Sequence, residues 1–291
     1  MPPSTRSLVS TQELATSLDR SAPPADRPVV LDVRWRLAGP PAREDYARAH
    51  LPGAVFVDLD TELAGPPGPA GRHPLPDPTA LQATLRAAGI NAGDTVVAYD
   101  DRDGSVAARA WWLLRWAGHD RVAVLDGGYA AWTEEGRPVT ADVPDPVPGD
   151  IVVTPGQLPV LDADQAADLA KTGVLLDARA AERYRGDVEP VDPRAGHVPG
   201  ARHAPFARHV GPDGRWRSPA ELAERFVELG VANDAEIGAY CGSGVTASSV
   251  VLAIEVAGVL DRPAALYAGS WSNWSADPAR PVATGEQPTS G

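Results

Sequence analysis

Cys241 is the single cysteine in 291 residues, and it closes an apolar stretch, Glu236-Ile237-Gly238-Ala239-Tyr240, before opening the run Cys241-Gly242-Ser243-Gly244-Val245-Thr246. A strand that turns through glycines into a helix sets a thiol among backbone N–H groups and at the positive end of a helix dipole. Both stabilise negative charge on sulfur, and the thiolate is the nucleophilic form. Gly242, Gly244, Val245 and Thr246 would form a cradle for an anion, the glycines because they adopt backbone conformations closed to other residues. Ser243, at the centre of the loop, offers a hydroxyl that can polarise a carbonyl or carry a proton. Thr246 and Ser248 are placed to cap the helix that follows. The plainer alternatives are a cysteine that is a small buried hydrophobe and a serine that satisfies its own loop. The Gly-Ser-Gly run favours the nucleophile.

Other chemistry fits less well. Cysteine phosphatases and arsenate reductases use a comparable loop but need an arginine six residues after the cysteine to grip a tetrahedral oxyanion, and that position is Ala247 here. His50, His73, His119, His197, His203 and His209 form no ligand cluster, so no metal is expected, and surface or capping roles are expected for the last three. The net charge of −13 argues against nucleic acid or an anionic membrane as partner, so an anionic substrate must meet a local group of arginines. One cysteine permits no internal disulfide, Met1-Pro2-Pro3-Ser4-Thr5-Arg6 does not read as a secretory leader, and no apolar run approaches a membrane span. A cytoplasmic protein is expected.

The elements that must position the loop occur twice. Val29-Val30-Leu31-Asp32-Val33-Arg34 followed by Ala49-His50-Leu51-Pro52-Gly53-Ala54 is echoed by Val174-Leu175-Leu176-Asp177-Ala178-Arg179 followed by Gly196-His197-Val198-Pro199-Gly200-Ala201. Each copy continues with an amphipathic helix pattern, Thr79 to Ala88 and Pro219 to Leu229, and then a short apolar strand, Thr95 to Tyr99 and Glu236 to Tyr240. The copies diverge after that strand, where Asp100 stands opposite Cys241. Strands alternating with helix-length segments predict, in each half, an α/β fold with a mostly parallel sheet and helices on both faces, and ligands of such sheets collect beyond the strands' carboxyl ends. Asp32 and Asp177 occur in both copies and are expected to tie loops. Thr140 to Gly156, with Pro144, Pro146, Pro148 and Pro155, reads as a stiff connector. Trp111, Trp112 and Trp116 read as packing residues, and Trp271 either as a wall of the site or as core.

The Cys241 loop, the duplicated Asp-x-Arg and His-x-Pro-Gly-Ala segments and the Gly269-Ser270-Trp271 turn together resemble the tandem-domain rhodanese family of sulfurtransferases, with a loop similar to that of 3-mercaptopyruvate sulfurtransferases. The resemblance runs from about Leu8 past Trp274. It implies two tandem rhodanese-like domains, residues 8–140 without a catalytic cysteine and residues 157–288 with it, joined by a Pro-rich linker at 141–156. It implies a persulfide on Cys241, no cofactor, a small-molecule sulfur donor, and a thiol acceptor such as thioredoxin, or cyanide. Thiosulfate-preferring members carry basic side chains just after the cysteine, so Gly242 and Ser243 point to a monoanionic keto acid, 3-mercaptopyruvate. Thiosulfate stays open as a donor, because Arg183 or Arg185 could supply charge from outside the loop. A persulfide carrier or redox-sensing module stays open as well. For the donor carboxylate, Arg183 matches the family's substrate arginine and Arg194 is the nearest candidate for a second, while Asp60 and His73 match positions that face the family's active cleft.

Overall fold

The computed structural model describes residues 6–19 and 27–286, so the reading of residues 1–5 and the expected domain end at residue 288 lie outside the described residues. Short aliphatic runs form two five-stranded sheets in which every pairing is parallel. The first repeat contributes β1 (Leu8–Val9), β2 (Val29–Asp32), β3 (Val55–Phe56), β4 (Val96–Tyr99) and β5 (Val122–Leu125), and the second β6 (Val160–Leu161), β7 (Val174–Asp177), β8 (Arg202–His203), β9 (Ile237–Tyr240) and β10 (Ala265–Tyr267). The spatial orders, β1-β5-β4-β2-β3 and β6-β10-β9-β7-β8, are the same order read in each copy. Register repeats too: Asp32 lies opposite Tyr99, and Asp177 opposite Tyr240. Every residue of β4, β5, β7 and β9 is buried. Because successive strand side chains alternate between faces, both faces of each sheet are covered, as parallel crossovers require.

The helices are α1 (Thr11–Ser17), α2 (Ala42–Arg48), α3 (Leu59–Glu62), α4 (Pro78–Ala87), α5 (Ala107–Trp116) and α6 (Gly128–Glu134) in the first repeat. The second has α7 (Ala163–Thr172), α8 (Ala181–Arg185), α9 (Pro219–Glu228), α10 (Thr246–Ala257) and α11 (Ser270–Ala276). Capping boxes start α1, α7 and α9, through Ser10 with Glu13, Asp162 with Gln165 and Ser218 with Glu221, each satisfying two otherwise unpaired N–H groups.

The chain forms two compact units, and each takes a loop from the other repeat. Among the described residues, one comprises those up to Ala64, Pro76–Gln157 and Gly211–Trp216; the other comprises Gly65–Leu75, Leu158–Val210 and those from Arg217 on. Residues 141–156 carry neither helix nor strand and run along the first unit. There the N–H of Gly149 donates to Arg86 O at 2.8 Å and that of Thr154 to Ala117 O at 2.9 Å, and Arg86 Nε donates to Ile151 O at 2.8 Å.

The duplicated motifs are structural ties. The Arg179 guanidinium forks onto Asp177 at 2.7 to 3.2 Å and reaches Gly196 O at 2.6 Å, and Arg34 does the same with Asp32 and Ala49 O. Burial alone would raise the Asp177 carboxyl, but Arg179 outweighs it and holds the group below the usual carboxylate range. His197 is not a surface residue as expected. It is fully buried, stacks on Tyr184 with ring centroids 3.8 Å apart, and its Nδ1 lies 2.7 Å from Tyr184 O. His209 is also buried, its imidazole pushed down to about 3 by burial first and by Arg225 second. Trp271 belongs to the core: it is fully buried, and its indole N–H donates to Arg194 O at 2.8 Å.

Candidate active site in the second unit

Strand β9 delivers Cys241 to the carboxyl end of the sheet, and the chain turns at once into α10. The thiol is buried, and the Gly244 N–H donates to its Sγ at 3.1 Å. Three further bonds fix the backbone around it. The Cys241 N–H donates to Ser270 Oγ at 3.1 Å, Cys241 O accepts from the Trp271 N–H at 3.0 Å, and Gly242 O accepts from the Ser272 N–H at 2.9 Å. Ser270 Oγ in turn donates to Tyr267 O at 2.8 Å. Ser270 holds φ at +53°, the left-handed region that costs a non-glycine residue about 1–2 kcal/mol. That cost is offset by three bonds that tie α11 to the Cys241 loop and a fourth that ties Ser270 to the end of β10. Sequence reasoning saw Ser270 only within a matching turn, since nothing local marks a hydroxyl for a strand 29 residues upstream.

The two loop glycines serve different purposes. Gly244 has φ +82°, and a Cβ there would lie 2.4 Å from Ala268 O, so both conformation and space demand glycine. Gly242 is not in the left-handed region. A Cβ on it would lie 3.2 Å from one NH2 nitrogen of Arg72 and 3.3 Å from one of Arg183, so its smallness lets two guanidinium groups approach the loop. The expected capping by Thr246 and Ser248 is absent. Val245 is the N-cap residue of α10 with no side-chain cap bond, while Ser248 Oγ donates to Gly244 O at 3.1 Å, and Thr246 O accepts from Ser249 Oγ at 2.8 Å. No hydroxyl therefore claims the first N–H groups of α10, which suits an anion at this end of the helix.

Arg183, on α8, reaches the loop as expected, and Arg72 joins it from the borrowed segment Gly65–Leu75, which sequence reasoning missed. Arg183 gives Nε and NH2 to Glu189 at 3.2 and 2.6 Å and NH2 to Asp192 at 3.0 Å; Arg72 gives NH1 to Asp192 at 2.8 Å. The nitrogens that face Gly242 are the other two, Arg72 NH2 and Arg183 NH1, and neither makes one of these bonds. Two planar donor groups thus converge above the residue next to Cys241, an arrangement suited to a carboxylate. Arg72 is anchored at its own backbone, where its N–H donates to Ser272 Oγ at 3.0 Å.

His73, the next residue on that segment, places Nδ1 2.7 Å from Ser243 Oγ, and both side chains are buried. With Nδ1 protonated, the imidazole donates to the hydroxyl and leaves its O–H free to donate onward. Arg194 is not part of this group. Its guanidinium is spent on the end of α11 and the turn after it, donating to Trp274 O and Ser275 O in the last turn of the helix and to Asp277 O and Arg280 O beyond it, at 2.5 to 3.0 Å. Asp60 lies in the first unit on α3, where its carboxylate accepts from the Trp35 indole N–H at 3.0 Å.

At the equivalent strand end of the first unit, the Asp100 carboxylate occupies its own cradle. It accepts from the N–H groups of Arg102, Gly104, Val106 and Ala107 at 2.9 to 3.1 Å, with burial first and Asp103 second pushing its pKa up to about 6. Trp216 stands over this loop, its Nε1 2.8 Å from where a Gly104 Cβ would be. The loop that in the second unit frames a thiol is here filled by a carboxylate of the chain itself. Among the described residues, no group of three His, Cys, Asp or Glu side chains is placed to hold a metal ion, and no helix is long and apolar enough to cross a membrane.

A duplicated parallel sheet with a cysteine on an anion-binding loop after the fourth strand is the rhodanese arrangement, and the Rhodanese-like domain profile matches residues 10–135 and 162–277. The chain belongs to the rhodanese family. Within it, the chain is 47% identical over 97% of its length to all of a Pseudomonas aeruginosa protein named "Probable 3-mercaptopyruvate sulfurtransferase". It is 35% identical to 3-mercaptopyruvate sulfurtransferase of Mus musculus, with 92% of each chain covered, and 43% identical, over 96% of this chain and 97% of the other, to SseB of Mycobacterium tuberculosis, which is named for thiosulfate instead. In three dimensions it superposes on the 3-mercaptopyruvate sulfurtransferase SseA of Escherichia coli with a TM-score of 0.79 at 29% identity, covering 92% of this chain and 100% of that one.

Proposed function

We propose that this protein is a sulfurtransferase that takes a sulfane sulfur from 3-mercaptopyruvate onto Cys241 and passes it to a thiol or to cyanide. The observation that carries the reading is the Cys241 sulfur, held by the Gly244 N–H, beside two guanidinium NH2 groups that converge over Gly242. Arg72 and Arg183 would take the donor's carboxylate, and Arg194 has no part in that task. The Cys241 thiolate attacks the donor's sulfur, so an S–S bond forms as the donor's C3–S bond breaks. The electron pair of that bond becomes the enolate of pyruvate, which then takes a proton at C3, while the sulfur stays on Cys241 as a persulfide. Ser243, oriented by His73, donates to the developing enolate oxygen, the point where negative charge appears. The backbone N–H groups of the loop then hold the persulfide anion. In the second half an acceptor thiolate or cyanide attacks the outer sulfur, the S–S bond breaks, and the Cys241 thiolate is restored.

Catalysis resides in the second repeat, residues 157–288 in the chain's order, while residues 8–140 and the linker 141–156 support it without a nucleophile of their own. The natural acceptor is a small thiol or a protein dithiol such as thioredoxin, and such an acceptor suits a reducing compartment such as the cytoplasm. The test is steady-state sulfur transfer to cyanide with 3-mercaptopyruvate and with thiosulfate in parallel, wild type against Cys241→Ser. A rate that depends on Cys241, is much larger with mercaptopyruvate, and adds one sulfur to the protein's mass after a single turnover is the expected result. Dominance of thiosulfate would keep the chemistry and overturn the donor. The name of the mycobacterial relative favours that second reading.

A further inference from the structure

The arginine pair over Gly242 is electrically balanced by two buried carboxylates. Asp192 bridges both guanidinium groups, at 2.8 Å from Arg72 and 3.0 Å from Arg183, while Glu189 takes Nε and NH2 of Arg183 at 3.2 and 2.6 Å; Arg179, which also reaches Glu189 at 3.4 Å, is matched by its own partner Asp177. The Asp192 and Glu189 side chains are each 4% exposed, so they are shielded from solvent far more than surface carboxylates are. The two acids are also coupled to each other, since the Asp192 backbone N–H donates to Glu189 Oε1 at 3.1 Å. The pair therefore offers directed N–H donors with two negative charges already matched to its two positive ones. A ligand carrying one negative charge can be held by those donors. A second negative charge finds no excess cation in this group and is repelled by Asp192 and Glu189 through a medium that screens poorly.

We infer that Asp192 sets the charge selectivity of the donor site, admitting a monoanionic keto acid and excluding the thiosulfate dianion, by neutralising the arginines that bind the donor while fixing their orientation. The inference rests on the sulfurtransferase reading for its biological meaning, and on the ion-pair geometry for its physics. Asp192 touches no reacting atom in this scheme; it is a positioning and charge-setting residue that acts through Arg72 and Arg183. Its sequence position gives no hint of this, because Asp192 lies in a loop between α8 and β8 in an otherwise unremarkable acidic stretch.

The experiment compares Asp192→Asn, which keeps the shape and removes the charge, with Asp192→Glu, which keeps the charge. Transfer to cyanide is measured with both donors, and calorimetry on the same variants in a Cys241→Ser background measures binding of pyruvate and of thiosulfate without turnover. For Asp192→Asn, kcat/KM for thiosulfate relative to mercaptopyruvate should rise about tenfold, the ratio that ~1.4 kcal/mol of lost repulsion produces, with the change in the thiosulfate KM rather than in kcat. Thiosulfate affinity should rise in the binding measurement relative to pyruvate, and Asp192→Glu should keep the wild-type ratios. Normal mercaptopyruvate turnover with both ratios unchanged in Asp192→Asn would overturn the inference and leave the proposed reaction intact. A wild-type protein that turns over neither donor, yet shows the shift in binding, would overturn the reaction and uphold the role of Asp192.

Discussion

At the scale of single residues, the nucleophile is defined less by Cys241 than by what surrounds it. Gly244 supplies an N–H to the sulfur, Ser270 fixes the Cys241 backbone from a turn on α11, and Arg72 and Arg183 stand over Gly242. Arg72 is the least expected of these, since in the sequence it is one arginine among many in a loop far upstream. If it shares the donor carboxylate with Arg183, then Arg72→Ala should raise the KM for 3-mercaptopyruvate by about ten- to a hundredfold with a smaller loss of kcat, the signature of lost ground-state binding. Arg72→Lys should recover only part of it, because an ammonium lacks the planar fork. Steady-state kinetics at saturating cyanide decide the matter, and an unchanged KM would remove Arg72 from the site.

Elements contribute by forcing the loop into one shape. The turn from β9 into α10 needs glycine at 244, where φ is +82° and Ala268 O closes off the Cβ position at 2.4 Å. Gly244→Ala should therefore both destabilise the protein, by about 1–2 kcal/mol for the backbone conformation with the clash in addition, and slow persulfide formation at least tenfold. Thermal unfolding and single-turnover mass spectrometry read the two effects, and a variant with wild-type values in both would show that the loop does not need this conformation. The first repeat illustrates the same geometry without the chemistry. Its loop after β4 closes on the Asp100 carboxylate, which accepts four backbone N–H bonds that an anionic ligand would otherwise attract.

For the whole molecule, buried histidines make stability depend on pH. His209 is neutral in the fold, its pKa brought from 6.5 to about 3 by burial and by Arg225, and burial lowers His197 and His203 in the same direction. Between those two values the unfolded chain binds a proton that the folded one does not, so stability rises with pH through this window and is lost on acidification. The His209 share is about 2 kcal/mol between pH 7 and pH 5. Asp100, with its pKa raised to about 6, favours the folded state as pH falls below that value, but it is common to wild type and variant. The difference in urea-unfolding free energy between pH 7 and pH 5 should therefore be about 2 kcal/mol smaller in His209→Gln than in wild type. Equal pH dependence in the two proteins would mean that His209 does not stay neutral in the fold.

Sequence alone determined the duplicated architecture, the alternation of strands and helices in each copy and the cysteine at the end of β9, because these follow from local hydrophobic period, repeated motifs and turn chemistry. It also marked Ser243, by its place at the centre of the loop, and Arg183 and His73, by their resemblance to a family whose motifs are local. Arg194 misled because proximity along the chain says nothing of where a guanidinium finds its acceptors, and its donors go to two carbonyls at the end of α11 and two in the turn that follows. Surface roles failed for His197 and His209 because burial depends on what packs over a residue. Gly242 was read for its backbone freedom when its use is the space it leaves. Tertiary structure alone decided that residues 65–75 pack into the second unit, and with them that Arg72 meets Arg183 over Gly242, that His73 meets Ser243, and that Asp192 ties the two arginines together. These are contacts between residues as far as 170 positions apart, as for His73 and Ser243, and no local pattern encodes them. They form because each loop satisfies its hydrogen bonds and charges where the folded chain presents the matching groups.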